Sequence, residues 1–159
     1  MRKQKIYLET TLFNFYFDDD RGFAHESTVR LFEEIASEKY KAFTSRFVID
    51  ELNDAPEPKR DKMLRLIGEH DIPILENTDE AVRISNLYID EKIIPHKYRT
   101  DGLHIAIATV NDLDMIISMN FQHIVKRKTK IGTGNINALN GYRAVEIYSP
   151  MEVVEDEND

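Results

Sequence analysis

The chain contains no cysteine, so neither a disulfide framework nor a thiolate metal site is open to it. No apolar run approaches the roughly 18 residues of a membrane span. The N-terminal stretch MRKQKIYLE lacks the apolar h-region of a secretory signal, so the expected location is cytoplasmic, with no membrane partner. Basic charge is short too: 21 Lys and Arg stand against 29 Asp and Glu, a formal net charge of −8. That excludes a protein that coats polyanions through a broad basic surface. It leaves open an enzyme that gathers carboxylates around cations which then meet phosphate. Internal repeats and a dividing linker are also absent, and 159 residues make one domain. We place that domain at 1–152 and read 153–159 as a polar, frayed acidic tail.

What is present alternates between strand and helix patterns. KIYLE (5–9), KAFTS (41–45), IPIL (72–75), MIIS (115–118) and AVEIYSP (144–150) read as short strands. Between them STVRLFEEIASEK (27–39) carries Val29, Leu31, Phe32, Ile35 and Ala36 at helical spacing, with Ser27 as N-cap. RFVIDEL (46–52), EPKRDKMLRLIGEH (57–70), TDEAVRISNLYIDEKI (78–93, capped by Thr78) and 101–111 read as further helices. A Gly/Asn-rich loop is expected around 132–141, with GTGN (132–135) a turn: it lacks the Lys and the Ser/Thr of a phosphate-binding loop. DDD (18–20) reads as a solvated loop. KRKTK (126–130) reads as a solvated basic loop, with phosphate contact as the alternative. Short strands alternating with longer helices predict an α/β domain of three layers, α/β/α, around a parallel sheet of four or five strands.

In parallel sheets the site lies beyond the carboxyl ends of the strands. There the chain places Glu9 after the first strand, Ser45 at the end of the second with Glu51 on the helix that follows, Asp101 at a helix start, and Asn120 after MIIS. Each alone has an ordinary explanation; an acid in the first turn of a helix, for instance, is favoured by the helix dipole. Together they put three acids and an amide at one edge, with no Lys or Arg from the same strand ends. Oxygen-only donors of this kind suit Mg2+ or Mn2+. A dinucleotide-binding reading fails because ETTLF has no glycine after the first strand.

The segments IYLETT, FTSRFVIDEL, TDGLHIAIATVNDLDMIIS and MNFQHIV together resemble the PIN-domain ribonucleases, in particular the VapC-type toxins of toxin–antitoxin systems. The D-x-L-H-I-A-x-A stretch from Asp101 is the most specific part. The resemblance carries the family's first acid, usually aspartate, onto Glu9, its second onto Glu51, its third onto Asp101, and its fourth, commonly aspartate, onto Asn120.

The resemblance implies hydrolysis of an RNA phosphodiester, with Mg2+ or Mn2+ held by Glu9, Asp101 and Asn120, and by Glu51 through water. Thr10, Thr11 and Ser45 are expected to bind the scissile phosphate or orient the carboxylates. His104, one helical turn after Asp101, is expected to brace the site, and His123 to hold the loop around Asn120. The resemblance also implies a small antitoxin partner and a homodimer. The apolar TTLFNFYF (10–17) is read either as a contact surface for such partners or as core. The Glu9 and Asn120 departures support an alternative: a catalytically weak or inactive module that acts by binding protein.

Overall fold

The first strand, β1 (Gln4–Leu8), has Ile6, Tyr7 and Leu8 wholly buried, as a strand covered on both faces must be. The structure, a computed structural model that describes residues 2–155, sets it at the centre of a parallel sheet. The other strands are β2 (Tyr40–Ser45), β3 (Ile74–Leu75), β4 (Met115–Ile117) and β5 (Glu146–Tyr148). The order is β3-β2-β1-β4-β5, with Ile6 opposite both Ala42 and Met115. A parallel sheet needs crossovers, and helices α1 (Thr10–Phe17), α2 (Phe23–Ala36), α3 (Arg46–Asn53), α4 (Lys59–Glu69), α5 (Asp79–Asp90), α6 (Arg99–Val110) and α7 (Arg127–Leu139) supply them, while α8 (Pro150–Val153) follows the last strand. α1 packs with α2 and α4 and α2 with α8, while α5 packs with α6 and α7, giving the expected three-layer α/β/α arrangement. Among the described residues no helix is long and apolar enough to cross a membrane.

Side-chain caps account for the starts of α1, α3 and α5. Ser45 and Thr78 cap α3 and α5 by accepting from the backbone N–H of Val48 and Ala81, at 3.3 and 3.1 Å. Glu9 caps α1, its side chain accepting from Thr11 N. The segment TTLFNFYF lies in α1 and turns inward: Leu12 and Phe13 are wholly buried, and Tyr16 packs edge-on against Phe32.

Two sequence readings need correction. α2 begins at Phe23, so Ser27 is an interior helical residue, only 2% exposed, and not a cap. The expected loop at 132–141 is largely helix: α7 starts directly after Lys126, so KRKTK opens a helix and GTGN lies within it. The inward stripe of α7 is polar. Thr129, Thr133 and Asn137 recur every four residues and are buried, and Asn137 Oδ1 accepts from Tyr88 Oη at 2.5 Å while its amide donates to Thr109 Oγ1. An apolar-periodicity search passes over such a stripe. Gly132 serves close packing: a Cβ there would come within 2.6 Å of Ile93 Cγ1.

At the amino edge of the sheet Asp114, 5% exposed, is held by four hydrogen bonds: two from the Arg2 guanidinium (2.8 and 3.1 Å), one from Lys5 N (2.7 Å) and one from Arg143 (2.7 Å). Burial alone would raise its pKa, but these donors hold it well below the usual carboxylate range. The opposite edge carries the acids that sequence singled out. Of the expected tail, Val153 ends α8 and Glu155 pairs with Lys39 Nζ at 2.7 Å; 156–159 lie outside the described residues.

Candidate active site

Where β1 ends, the chain turns at once into α1, and Glu9 sits at that corner, 3% exposed. Its Oε1 accepts from Thr11 N (3.1 Å), Thr11 Oγ1 (2.5 Å) and Ser118 Oγ (2.7 Å). Thr11 Oγ1 in turn accepts from Met119 N at 2.8 Å, so the end of β4 and the start of α1 are tied through this one carboxylate. Oε2 has no hydrogen-bond partner among the described residues.

A second carboxylate closes a chain of buried polar groups. Glu51 Oε1 accepts from Thr10 Oγ1 at 2.9 Å and from His104 Nε2 at 2.6 Å. His104 Nδ1 meets Tyr7 Oη at 2.6 Å, and Tyr7 Oη meets Ser45 Oγ at 2.6 Å. A protonated His104 donates from both ring nitrogens, to Glu51 and to Tyr7, and Tyr7 then donates to Ser45. Burial favours the neutral imidazole, yet the hydrogen bond to Glu51 and the charges of Glu9, Glu51 and Asp101 outweigh it and raise the His104 pKa. Burial likewise works to raise Glu51, but the bonds from His104 and Thr10 bring it below its ordinary value. His104 is fully buried while the Glu51 side chain is 39% exposed, so the chain runs from the core to the open edge.

Asp101, in the first turn of α6, behaves differently. Burial pushes its pKa up to about 6; His104 and a hydrogen bond from Asn120 pull it down, and the nearby charges of Glu9 and Glu51 push it up again. Glu9, Glu51 and Asp101 thus act on one another electrostatically. Among the described residues no Lys or Arg forms an ion pair with any of them; the basic group beside them is the His104 imidazole, its Nε2 2.6 Å from Glu51 Oε1.

The structure gives each expected residue definite partners. Ser45 is wholly buried, so it does not reach a phosphate; it caps α3 and anchors Tyr7. Thr10 and Thr11 hold Glu51 and Glu9. Asn120 Oδ1, expected as a metal ligand, accepts from His123 N at 3.0 Å, and its side chain hydrogen-bonds Asp101. The turn geometry makes this choice, because a side-chain oxygen can accept the backbone N–H a few residues on. His123 therefore supports Asn120 through its backbone. Its ring stands apart, stacked on Tyr98. Two participants were missed from sequence, Tyr7 and Ser118. A tyrosine inside an otherwise aliphatic buried strand was the available signal, since a buried phenol needs a partner.

No family model matches the sequence, and no curated protein matches it either. Among solved structures, a chain in the crystal structure of VapBC2 from Rickettsia felis, bound to a DNA fragment from their promoter, superposes with a TM-score of 0.56 at 9% identity. The match covers 92% of this chain and 98% of that one. Identity this low speaks to architecture alone: the chain has a PIN-like α/β/α fold with a five-stranded parallel sheet.

Proposed function

We propose that the protein is a metal-dependent endoribonuclease, the toxin of a type II toxin–antitoxin pair, which works on RNA with Mg2+ or Mn2+ and is held inactive by a small antitoxin. A homodimer and a cytoplasmic location belong to the same reading. The observation that carries it is that Glu9, Glu51 and Asp101 come to the same carboxyl edge with, among the described residues, no Lys or Arg paired to them, and that Asp101 is raised to about 6, by burial first and by the charges of Glu9 and Glu51 after it. Acids kept this way are ready for a cation. The fold shared with a VapBC2 chain supports the toxin half of the reading.

The donor set fits a hard divalent ion: Glu9 Oε2 and Asp101 supply charge, and Asn120 Oδ1 retains a second lone pair. When bound, such an ion polarises a phosphoryl oxygen and lowers the pKa of a water. The chain's own residues do the positioning. Thr11 and Ser118 hold Glu9, Asn120 and its His123 N–H hold Asp101, and the His104–Tyr7–Ser45 chain fixes Glu51 where a water would be oriented.

The test is thermal melting with and without Mn2+. A carboxyl whose folded pKa is raised prefers to be protonated. Its contribution to stability is therefore present below about 3.8 and is lost as pH rises through about 6. Asp101→Asn keeps a neutral side chain at every pH. At pH 7 without metal it should stabilise the protein by about 1–2 kcal/mol, after allowance for partial exposure of the group, and the gain should vanish by pH 4. The variant should also lose the Mn2+-induced rise in melting temperature. An undiminished Mn2+ response would place the metal elsewhere.

A second reading has its own support. Among the described residues no three His, Asp or Glu side chains lie close enough together to hold a metal ion, as in a silenced nuclease that acts by binding protein. Asn120→Asp discriminates, because it adds a carboxylate beside Asp101. If wild type cuts no RNA in Mn2+ while this variant does, the site is a silenced one.

A further inference from the structure

Charge is not spread evenly over this acidic chain. No Asp or Glu occurs between Glu91 and Asp101, and none between Asp114 and Glu146. The first stretch carries Lys92, Lys97 and Arg99 into α6; the second carries Lys126, Arg127, Lys128 and Lys130 into α7. The two acid-free stretches pack together where Gly132 meets Ile93 and again where the rings of Tyr98 and His123 are stacked, 3.9 Å between centroids at 27°. Tyr98 precedes Asp101 by three residues and His123 follows Asn120 by three, so the stack stands at the rim of the candidate site.

Two features of this rim, its exposed aromatic rings and its unpartnered buried imidazole, are costly in a protein that binds nothing there, and a third brings positive charge to it. Tyr98 and Phe121 are left 36% and 49% exposed. Lys97 Nζ lies 5.7 Å from the centre of the Tyr98 ring and brings a cation to it. The His123 ring is nine-tenths buried, yet neither of its nitrogens has a hydrogen-bond partner. Buried polar atoms without partners are uncommon and want an explanation.

We infer that Tyr98, backed by His123 and flanked by Phe121, is a stacking platform for an unpaired nucleobase of the strand whose phosphate enters the acidic site, with Lys126 and Lys128 on the adjoining backbone. The inference takes its ligand from the nuclease reading. Stacking suits this rim because every base offers a π-face, while lysines track phosphates without reading sequence. Stacked on the Tyr98 ring, His123 restricts the phenol from turning edge-on. Tyr98 is thus a binding and positioning residue, and the platform gives the site a requirement for single-stranded RNA.

The experiment is fluorescence anisotropy of a short labelled oligoribonucleotide in EDTA, beside an abasic strand of the same length, with a polyglutamate peptide as competitor. Tyr98→Ala should weaken binding of the base-bearing strand about tenfold and leave the abasic strand unchanged; Tyr98→Phe should bind as wild type does and serves as the folded control. Lys128→Ala should weaken both strands alike and lower the log–log salt slope by about 0.7. Equal affinity of wild type and Tyr98→Ala for the base-bearing strand overturns the platform, even if wild type cuts RNA in Mn2+. Stacking-dependent binding by a protein that cuts nothing keeps the platform and removes the nuclease reading. Polyglutamate binding that exceeds RNA binding and is lost in Tyr98→Ala overturns it in favour of an acidic protein partner.

Discussion

Asp101→Ala should lose metal-dependent RNA cleavage by about a thousandfold or more. Removing an anionic ligand forfeits several kcal/mol of charge stabilisation, and each 1.36 kcal/mol is a factor of ten in rate. Asp101 is the acid for which no substitute exists nearby. Glu51 is turned to His104 and Thr10, and Glu9 spends one oxygen on Thr11 and Ser118. The loss should appear in kcat with the fold intact, because the variant sheds a carboxylate whose ionisation burial already opposes. A matched cleavage assay of wild type and variant on a structured RNA pool, with and without EDTA, measures it. Retention of more than a tenth of the metal-dependent rate would remove Asp101 from the centre of the mechanism.

Asp114→Ala should be the most destabilising single change at the far edge of the sheet, by about 2–3 kcal/mol. It leaves Lys5 N without its acceptor and parts Arg2 from Arg143. Both arginines are about half exposed and regain water, which keeps the cost below that of breaking a wholly buried pair. For a chain of this size the melting temperature should fall by about 4–12 °C. The wild-type advantage depends on an Asp114 pKa held low, so it is present above about 4 and is lost as pH falls through the folded-state value. An unchanged melting temperature at pH 7 would mean that the Arg2–Asp114–Arg143 cluster is ornamental. RNA cleavage per folded molecule should not change, since this edge lies across the sheet from the acids.

The layering and the parallel sheet were legible in sequence because short buried strands and longer amphipathic helices leave different periodicities. Helix α7 was not, since its buried stripe is Thr129, Thr133 and Asn137, with Gly132 and Gly134 between them. Those residues spell a loop locally. They fold as helix because Tyr88 and Thr109 satisfy the stripe and Ile93 fills the space a side chain at 132 would need. Tertiary packing overrode local propensity there.

The candidate acids were legible one at a time. Glu9, Glu51 and Asp101 could be named from chain position alone, because in a parallel sheet whatever follows each strand arrives at one edge. What each one touches could not be named. Tyr7, Ser45, Glu51 and His104 are joined across 38 to 97 positions of sequence, and hydrogen bonds between such distant residues leave no local pattern. Asn120 shows the same divide within a few residues. Its place after β4 is read from sequence, but the His123 N–H and the Asp101 carboxylate decide which way its amide points. By itself the sequence determined which chemistry reaches the edge, through strand ends and helix starts. Only the tertiary structure decided which oxygens are engaged and which stay open, because that depends on where distant donors come to rest.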